Sequence, residues 1–154
     1  MRRRIAVLTA LAGIGCGSQT TTAPPAPQSM IETISQFMTA VRVNDQTRMG
    51  ALWGTERGPA VEWMKSEELK KRVAVIQKYL AHEGYRVVEG PLPVAGHDNQ
   101  REFRIELQRT GCSLVQPLDL IRTHTGAWIV YDVHLEAATA PVRGCKPPGP
   151  GTDD

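Results

Sequence analysis

The apolar residues of this chain keep a helical period in its first half and a strand period in its second. Ile31, Ile34, Phe37, Met38 and Val41 recur at helical spacing, with Glu32, Ser35, Gln36 and Thr39 between them. Ser29-Met30-Ile31-Glu32 is a capping-box signature, in which the serine oxygen takes a free backbone N–H and the glutamate reaches back. Together they predict a first helix over 30–44. Asp45 is placed to cap a short second helix carrying Met49, Leu52 and Trp53, stopped by Gly54 and then by Gly58-Pro59. Ser66-Glu67-Glu68 opens a third helix. Its stripe of Leu69, Val73, Ile76 and Leu80 should face a core, its lysines 65, 70, 71 and 78 should face water, and Gly84 should end it.

After Gly84 the period falls to two. A strand is expected over 85–88, broken by Gly90-Pro91-Leu92-Pro93 and followed by a turn over 96–99. Phe103, Ile105 and Leu107 alternate with Glu102, Arg104, Glu106 and Gln108, the clearest strand signal in the chain. After a turn at Thr110-Gly111, a strand over 113–122 puts Leu114, Leu118 and Leu120 on one face. Pro117 cannot donate to a ladder there, which points to an edge position or a bulge. A last strand over 127–135 alternates Ile129, Tyr131, Val133 and Leu135 with Trp128, Val130, Asp132 and His134. Helices followed by an antiparallel meander make an α+β domain over 29–145, with the N-terminal helices packed on a curved antiparallel sheet. That length suffices for one modest core.

The first residues carry a different message. Arg2-Arg3-Arg4 precedes an apolar run from Ile5 to Ile14, and Gly15-Cys16 follows. A membrane-spanning helix needs about 20 residues, so this run reads as a signal segment. The order resembles a bacterial lipoprotein signal, with Leu11-Ala12-Gly13-Ile14-Gly15-Cys16 as the lipobox. Gly15 fits the small residue wanted before the cysteine, and Gly13 departs from the pattern. The alternative is ordinary secretory cleavage near Ala23, with Cys16 discarded. The resemblance implies a leader over 1–15, lipidation (palmitate among the chains) at Cys16, and attachment to a membrane through the N-terminal lipid. Several acyl chains make such attachment stable where one is marginal. Gly17 after the cysteine, in place of Asp, implies the outer membrane facing the periplasm. Residues 17–28 hold no large apolar side chain and read as a flexible tether of about 20 Å root-mean-square reach. Residues 146–154 read as a structureless tail.

Export changes how charge and sulfur are read. The formal charge of +2 becomes −1 once the three leader arginines are gone. No basic stripe with interleaved aromatics is left, and aromatics are 5% of residues, so a nucleic-acid partner is not expected. Lipidation of Cys16 leaves Cys112 and Cys145, which an oxidising compartment favours pairing. In a meander both lie at the same end of the sheet. The alternative is two unrelated thiols.

Helices followed by a curved antiparallel sheet resemble the NTF2-like (cystatin-like) superfamily. The likeness is carried by the helix over 30–43, the Leu52-Trp53-Gly54 turn and the strands around Phe103, Leu107 and 127–135. Small uncharacterised bacterial lipoproteins of this shape are also similar, sharing Leu52-Trp53-Gly54-Thr55 followed by Gly58-Pro59. The resemblance implies an NTF2-like cone enclosing a pocket, used for catalysis in some members and for binding in others. Fold alone does not choose between them.

Chemistry-bearing motifs are sparse. No Cys-x-x-Cys, His-Glu-x-x-His, phosphate loop or nucleophile elbow occurs, so neither a metal nor another cofactor is expected. His97 and His124 fall in predicted turns. His82 lies at a helix end, where a charged imidazole would suit the dipole. Asp132 and His134 are two apart on a strand and so share a face. They read either as an acid/base pair or, by alternation, as solvated residues of the wet face. The superfamily's carboxylate-plus-tyrosine isomerase chemistry would nominate Tyr85, Tyr131 and Asp119, but these do not share a predicted face, and no catalytic residue is assigned. Trp53, Trp63 and Tyr131 are the pocket candidates, the tryptophans flanking the Gly-Pro loop. The expected role is a non-catalytic, membrane-anchored envelope lipoprotein that offers a face to an envelope protein or a small apolar ligand. The alternative is a small-molecule-binding protein or enzyme using the pocket of the cone.

Overall fold

The computed structural model describes residues 26–137. The leader, Cys16, the tether up to residue 25, Cys145 and the tail therefore lie outside the described residues. Three helices come first: α1 (Met30–Arg42), α2 (Gln46–Leu52) and α3 (Ser66–Leu80). Between α2 and α3 a small ribbon forms from β1 (Gly54–Thr55) and β2 (Gly58–Pro59), followed by a single 3-10 turn, Ala60–Glu62. The rest is an antiparallel meander of β3 (Gly84–Val94), β4 (His97–Arg109), β5 (Cys112–Arg122) and β6 (Trp128–Asp132), adjacent in that order. The α+β class follows directly.

The helix starts obey their local chemistry. Ser29 Oγ accepts from the N–H of Glu32 at 3.2 Å, and Glu32 reaches back to the N–H of Gln28 at 2.6 Å. Asp45 caps α2 by accepting from the N–H of Arg48 at 2.9 Å. The helix α3 has no side-chain cap, but Glu67 and Glu68 stand in its first turn, where the helix dipole favours acids. It ends at Leu80, four residues before the expected stop, and Gly84 instead opens β3. The close is made from a distance: Arg109 of β4 donates to the carbonyls of Ala81, at 2.9 Å, and Tyr79.

The core lies between the helices and one face of the meander. Phe37 and Met38 of α1, Met49 of α2 and Leu80 of α3 meet Phe103, Ile105 and Leu107 of β4 and Leu118 and Leu120 of β5, all at most 1% exposed. Full burial of each such side chain stabilises the fold by about 1.5–3 kcal/mol before its ordering cost. Thr33, the buried polar residue of α1, is satisfied by donating to the Trp128 carbonyl at 2.9 Å, which ties the first helix to the last strand.

Four strand expectations need correction. The Gly90-Pro91-Leu92-Pro93 segment does not break its strand, because β3 runs on to Val94 through register shifts against β4. It is an edge strand, so the missing proline donors cost no ladder on its outer side. The turn that follows is only Ala95-Gly96, since Val94 already pairs with His97. Pro117 lies on β5, which is interior and not an edge. Yet β6 stops at Asp132, opposite Asp119, so beside Pro117 no strand flanks β5 on that side. There the Gln116 amide replaces the ladder, donating to the carbonyls of Val133 and His134.

The fourth correction concerns the last strand. It is shorter than expected, and its facing changes partway. Between the pairs Leu120↔Val130 and Asp119↔Asp132, β5 advances one residue and β6 two. Tyr131 is the additional residue of a β-bulge. Strict alternation puts Ile129, Tyr131, Val133 and Leu135 together. The bulge instead sends Val130 and Val133 into the core and leaves Ile129 on the opposite face with Ile121.

Candidate functional site

The chemistry lies on the face of the sheet turned away from the helices. Register places Glu102 of β4, Asp119 of β5 and Asp132 of β6 side by side across three strands. Glu102 is answered by Arg104 Nε at 3.3 Å, whose Nη1 also bonds Glu89 at 2.9 Å. Asp132 spends its Oδ1 on the backbone N–H groups of Val133, at 2.7 Å, and His134, at 3.1 Å. That turn holds His134 at a positive φ of 41° and swings its ring back over β5.

The partner of His134 is therefore Asp119 and not Asp132. His134 Nε2 lies 3.0 Å from Asp119 Oδ2, and Nδ1 lies 3.1 Å from the exposed Glu136. Asp119 is buried, and its Oδ1 has no hydrogen-bond partner. Burial pushes the Asp119 carboxyl above its ordinary pKa, the hydrogen bond from His134 opposes this, and the charges of Glu102 and Asp132 add to the rise. For His134 burial acts downward, but the hydrogen bonds to Asp119 and Glu136 and the surrounding negative charge outweigh it, so its pKa is raised. His82 goes the other way: burial lowers its pKa, against its bond to the Leu80 carbonyl, and Arg42 and Arg109 lower it further. It does not sit at the helix end as a favoured cation.

Two grooves of about 530 and 520 Å³ flank this region, and Tyr131 lines both. The first is lined by Thr55, Glu56 and Arg57 of the β1–β2 ribbon, by Trp63, by His97, Asn99 and Gln100 of β4, and by Ile121 and Tyr131. The second lies between α3 and the end of β6, with Trp53, Lys71, Arg72, Val75, Tyr131 and Leu135 among its walls. The ribbon places both tryptophans. Gly54 stands opposite Pro59, where a Cβ would lie 2.3 Å from the Gly58 carbonyl oxygen. That carbonyl accepts the Trp63 indole N–H at 3.2 Å, and the Tyr131 carbonyl accepts that of Trp53 at 3.1 Å. The backbone N–H of His124 bonds the Glu56 carbonyl at 3.0 Å and fixes the loop tip.

Trp53, Trp63 and Tyr131 thus line open grooves, with Trp63 44% and Tyr131 39% exposed. Cys112 opens β5, while its expected partner Cys145 lies outside the described residues. His97 lines the first groove, whereas His124 is exposed on the β5–β6 turn. Among the described residues no cluster of ligands suits a metal, and no helix is long and apolar enough to cross a membrane. Sequence reasoning missed Glu56, Arg57, Asn99 and Gln100, which come from two distant segments. It also missed Asp119 as the partner of His134. A signal existed for the last, since one acid within Leu118-Asp119-Leu120-Ile121 on a strand is marked for burial. No protein-family model matches the chain, and no curated protein and no solved structure matches it.

Proposed function

We propose that this protein is an exported, lipid-anchored envelope lipoprotein whose folded domain is a non-catalytic binding module. The binding face is the pair of grooves on either side of Tyr131. One observation carries the choice of binding over catalysis: Asp119 and His134, the pair equipped for proton transfer, line neither groove. A general base must lie within hydrogen-bond reach of a bound substrate. The first groove exposes aromatic rings among amides, a hydroxyl, His97 and the charges of Glu56 and Arg57, and the second sets Asp132 and Glu136 against Lys71 and Arg72, walls suited to orienting a ligand. The arrangement of three helices on a bulged antiparallel sheet is compatible with an NTF2-like cone. The space such a cone would enclose is filled by Phe37, Phe103 and their neighbours, which speaks against an interior ligand or substrate.

The anchor rests on Arg2-Arg3-Arg4, the short apolar run and Gly15-Cys16, with Cys112 and Cys145 joined in a disulfide once Cys16 is acylated. Metabolic labelling with palmitate in a bacterial host tests it. Wild type should take up label in the membrane fraction, and Cys16→Ser should not. An unlabelled wild type, or a labelled Cys16→Ser chain, would remove the lipoprotein reading.

A further inference from the structure

We infer that the groove bounded by Trp63, Gln100 and Tyr131 is a saccharide-binding site, taking a neutral oligosaccharide. This deepens the binding reading above and rests on it. The floor is built by β4 and β5 at the Gln100↔Ile121 pair, and the rim by the ribbon tip and the start of β4. Gln100 is the decisive residue. It is 7% exposed and lines the groove, yet among the described residues its side-chain amide makes no hydrogen bond. Its amide atoms stay open to the groove, where water meets them until a ligand does. An amide offers both donor and acceptor, and a ligand hydroxyl satisfies both with one group.

The remaining walls select the same chemistry. Trp63 and Tyr131 present broad ring surface, and the indole N–H of Trp63 is already spent on Gly58. What Trp63 offers is its ring, which packs against flat C–H surface. A sugar ring has such a face, and its edge carries hydroxyls for Asn99, Gln100 and His97. Glu56 and Arg57 cancel in charge, so the groove selects neither anions nor cations. A polypeptide fits less well. The groove crosses the paired interior strands β4 and β5, so no free edge is available for an added strand.

The test titrates the full chain in detergent with chitotriose, cellotriose and maltotriose, read by calorimetry and tryptophan fluorescence. At least one should bind with a dissociation constant below about 1 mM. Gln100→Ala and Trp63→Ala should each weaken it at least about tenfold. Val75→Ala, in the second groove, should leave it unchanged. Circular dichroism confirms that each variant is folded, and Gln100→Glu, which keeps the size and loses the donor, provides a second variant at that position. Absence of binding by all three sugars at about 10 mM, or binding untouched by the Gln100 and Trp63 variants, overturns the assignment. If a blocked neutral dipeptide alters Trp63 fluorescence while no sugar does, the saccharide is overturned and the binding face stands. Palmitate labelling is independent of every one of these outcomes.

Discussion

His134 Nε2 and Asp119 Oδ2 lie 3.0 Å apart although the two residues are fifteen positions apart in sequence. The bond fastens the chain leaving β6 onto the middle of β5. Asp132 from β6 and Glu136 flank the imidazole beside Asp119, and Glu102 from β4 stands next to Asp119 in turn.

That setting fixes a pH dependence. The folded pKa of His134 lies above its unfolded value, so its stabilisation is complete below about 6.5 and is lost as pH rises through the folded value. Asp119, also raised, acts in the same direction from a lower starting point of 3.8. His134→Gln removes the first titration. Urea unfolding should show the greatest gap between wild type and variant near pH 5.5, shrinking by about pH 8.5. A gap that is flat, or that widens with pH, contradicts the assignment.

Gln116 does the work of a missing strand. In Gln116→Leu the carbonyls of Val133 and His134 lose their donor, which costs about 1–2 kcal/mol, part of it recovered by removing the unpartnered Oε1. Hydrogen exchange should quicken at the Ala137 amide, which bonds the His134 carbonyl at 2.8 Å. Unchanged exchange there would mean that Gln116 does not hold the segment.

Two glycines of β3 and its turn should behave oppositely. Gly90 has φ +124°, and a Cβ there would lie 2.6 Å from Phe103 Cδ1 in the core. Gly90→Ala should therefore destabilise by about 1–3 kcal/mol through forced repacking. Gly96, at φ +77°, has nothing within 4 Å of such a Cβ. Gly96→Asn should cost under about 1 kcal/mol, since asparagine tolerates left-handed backbone. Equal unfolding midpoints for the two variants would refute the packing argument.

The proposed Cys112–Cys145 bridge would join the start of β5 to the segment after Ala137. β6 runs antiparallel to β5, towards the Cys112 end, and eight chain steps lead from Ala137 to Cys145. They span at most about 26–29 Å. Unreduced mature protein should show no alkylatable thiol by mass spectrometry. Cys112→Ser should lower stability by about 3.5–4 kcal/mol in the loop-entropy account. Two free thiols in the oxidised protein would dismiss the bridge.

How much of this was legible depended on whether the cause was local. The cap at Ser29, the cap at Asp45 and the alternation of Phe103, Ile105 and Leu107 are decided within a few residues, and each is where the sequence puts it. Gly90 to Pro93 misled because their meaning depends on lying at an edge, which is a property of the whole sheet. The facing of Val133 misled because one inserted residue reverses a period-two pattern without any compositional mark. The groove was illegible for the same reason as the His134 partner. Thr55 to Arg57, Trp63, His97 to Gln100 and Tyr131 become neighbours only after the meander folds.

Tyr131 is supernumerary in its strand. Excising it leaves Asp132, Val133 and His134 on the sides they already occupy, because the residues around it alternate correctly once it is skipped. A one-codon deletion should thus yield a molecule that still assembles but has lost the ridge dividing its two clefts. In this chain, what lines the outer clefts and what is packed inside are uncoupled at a single position.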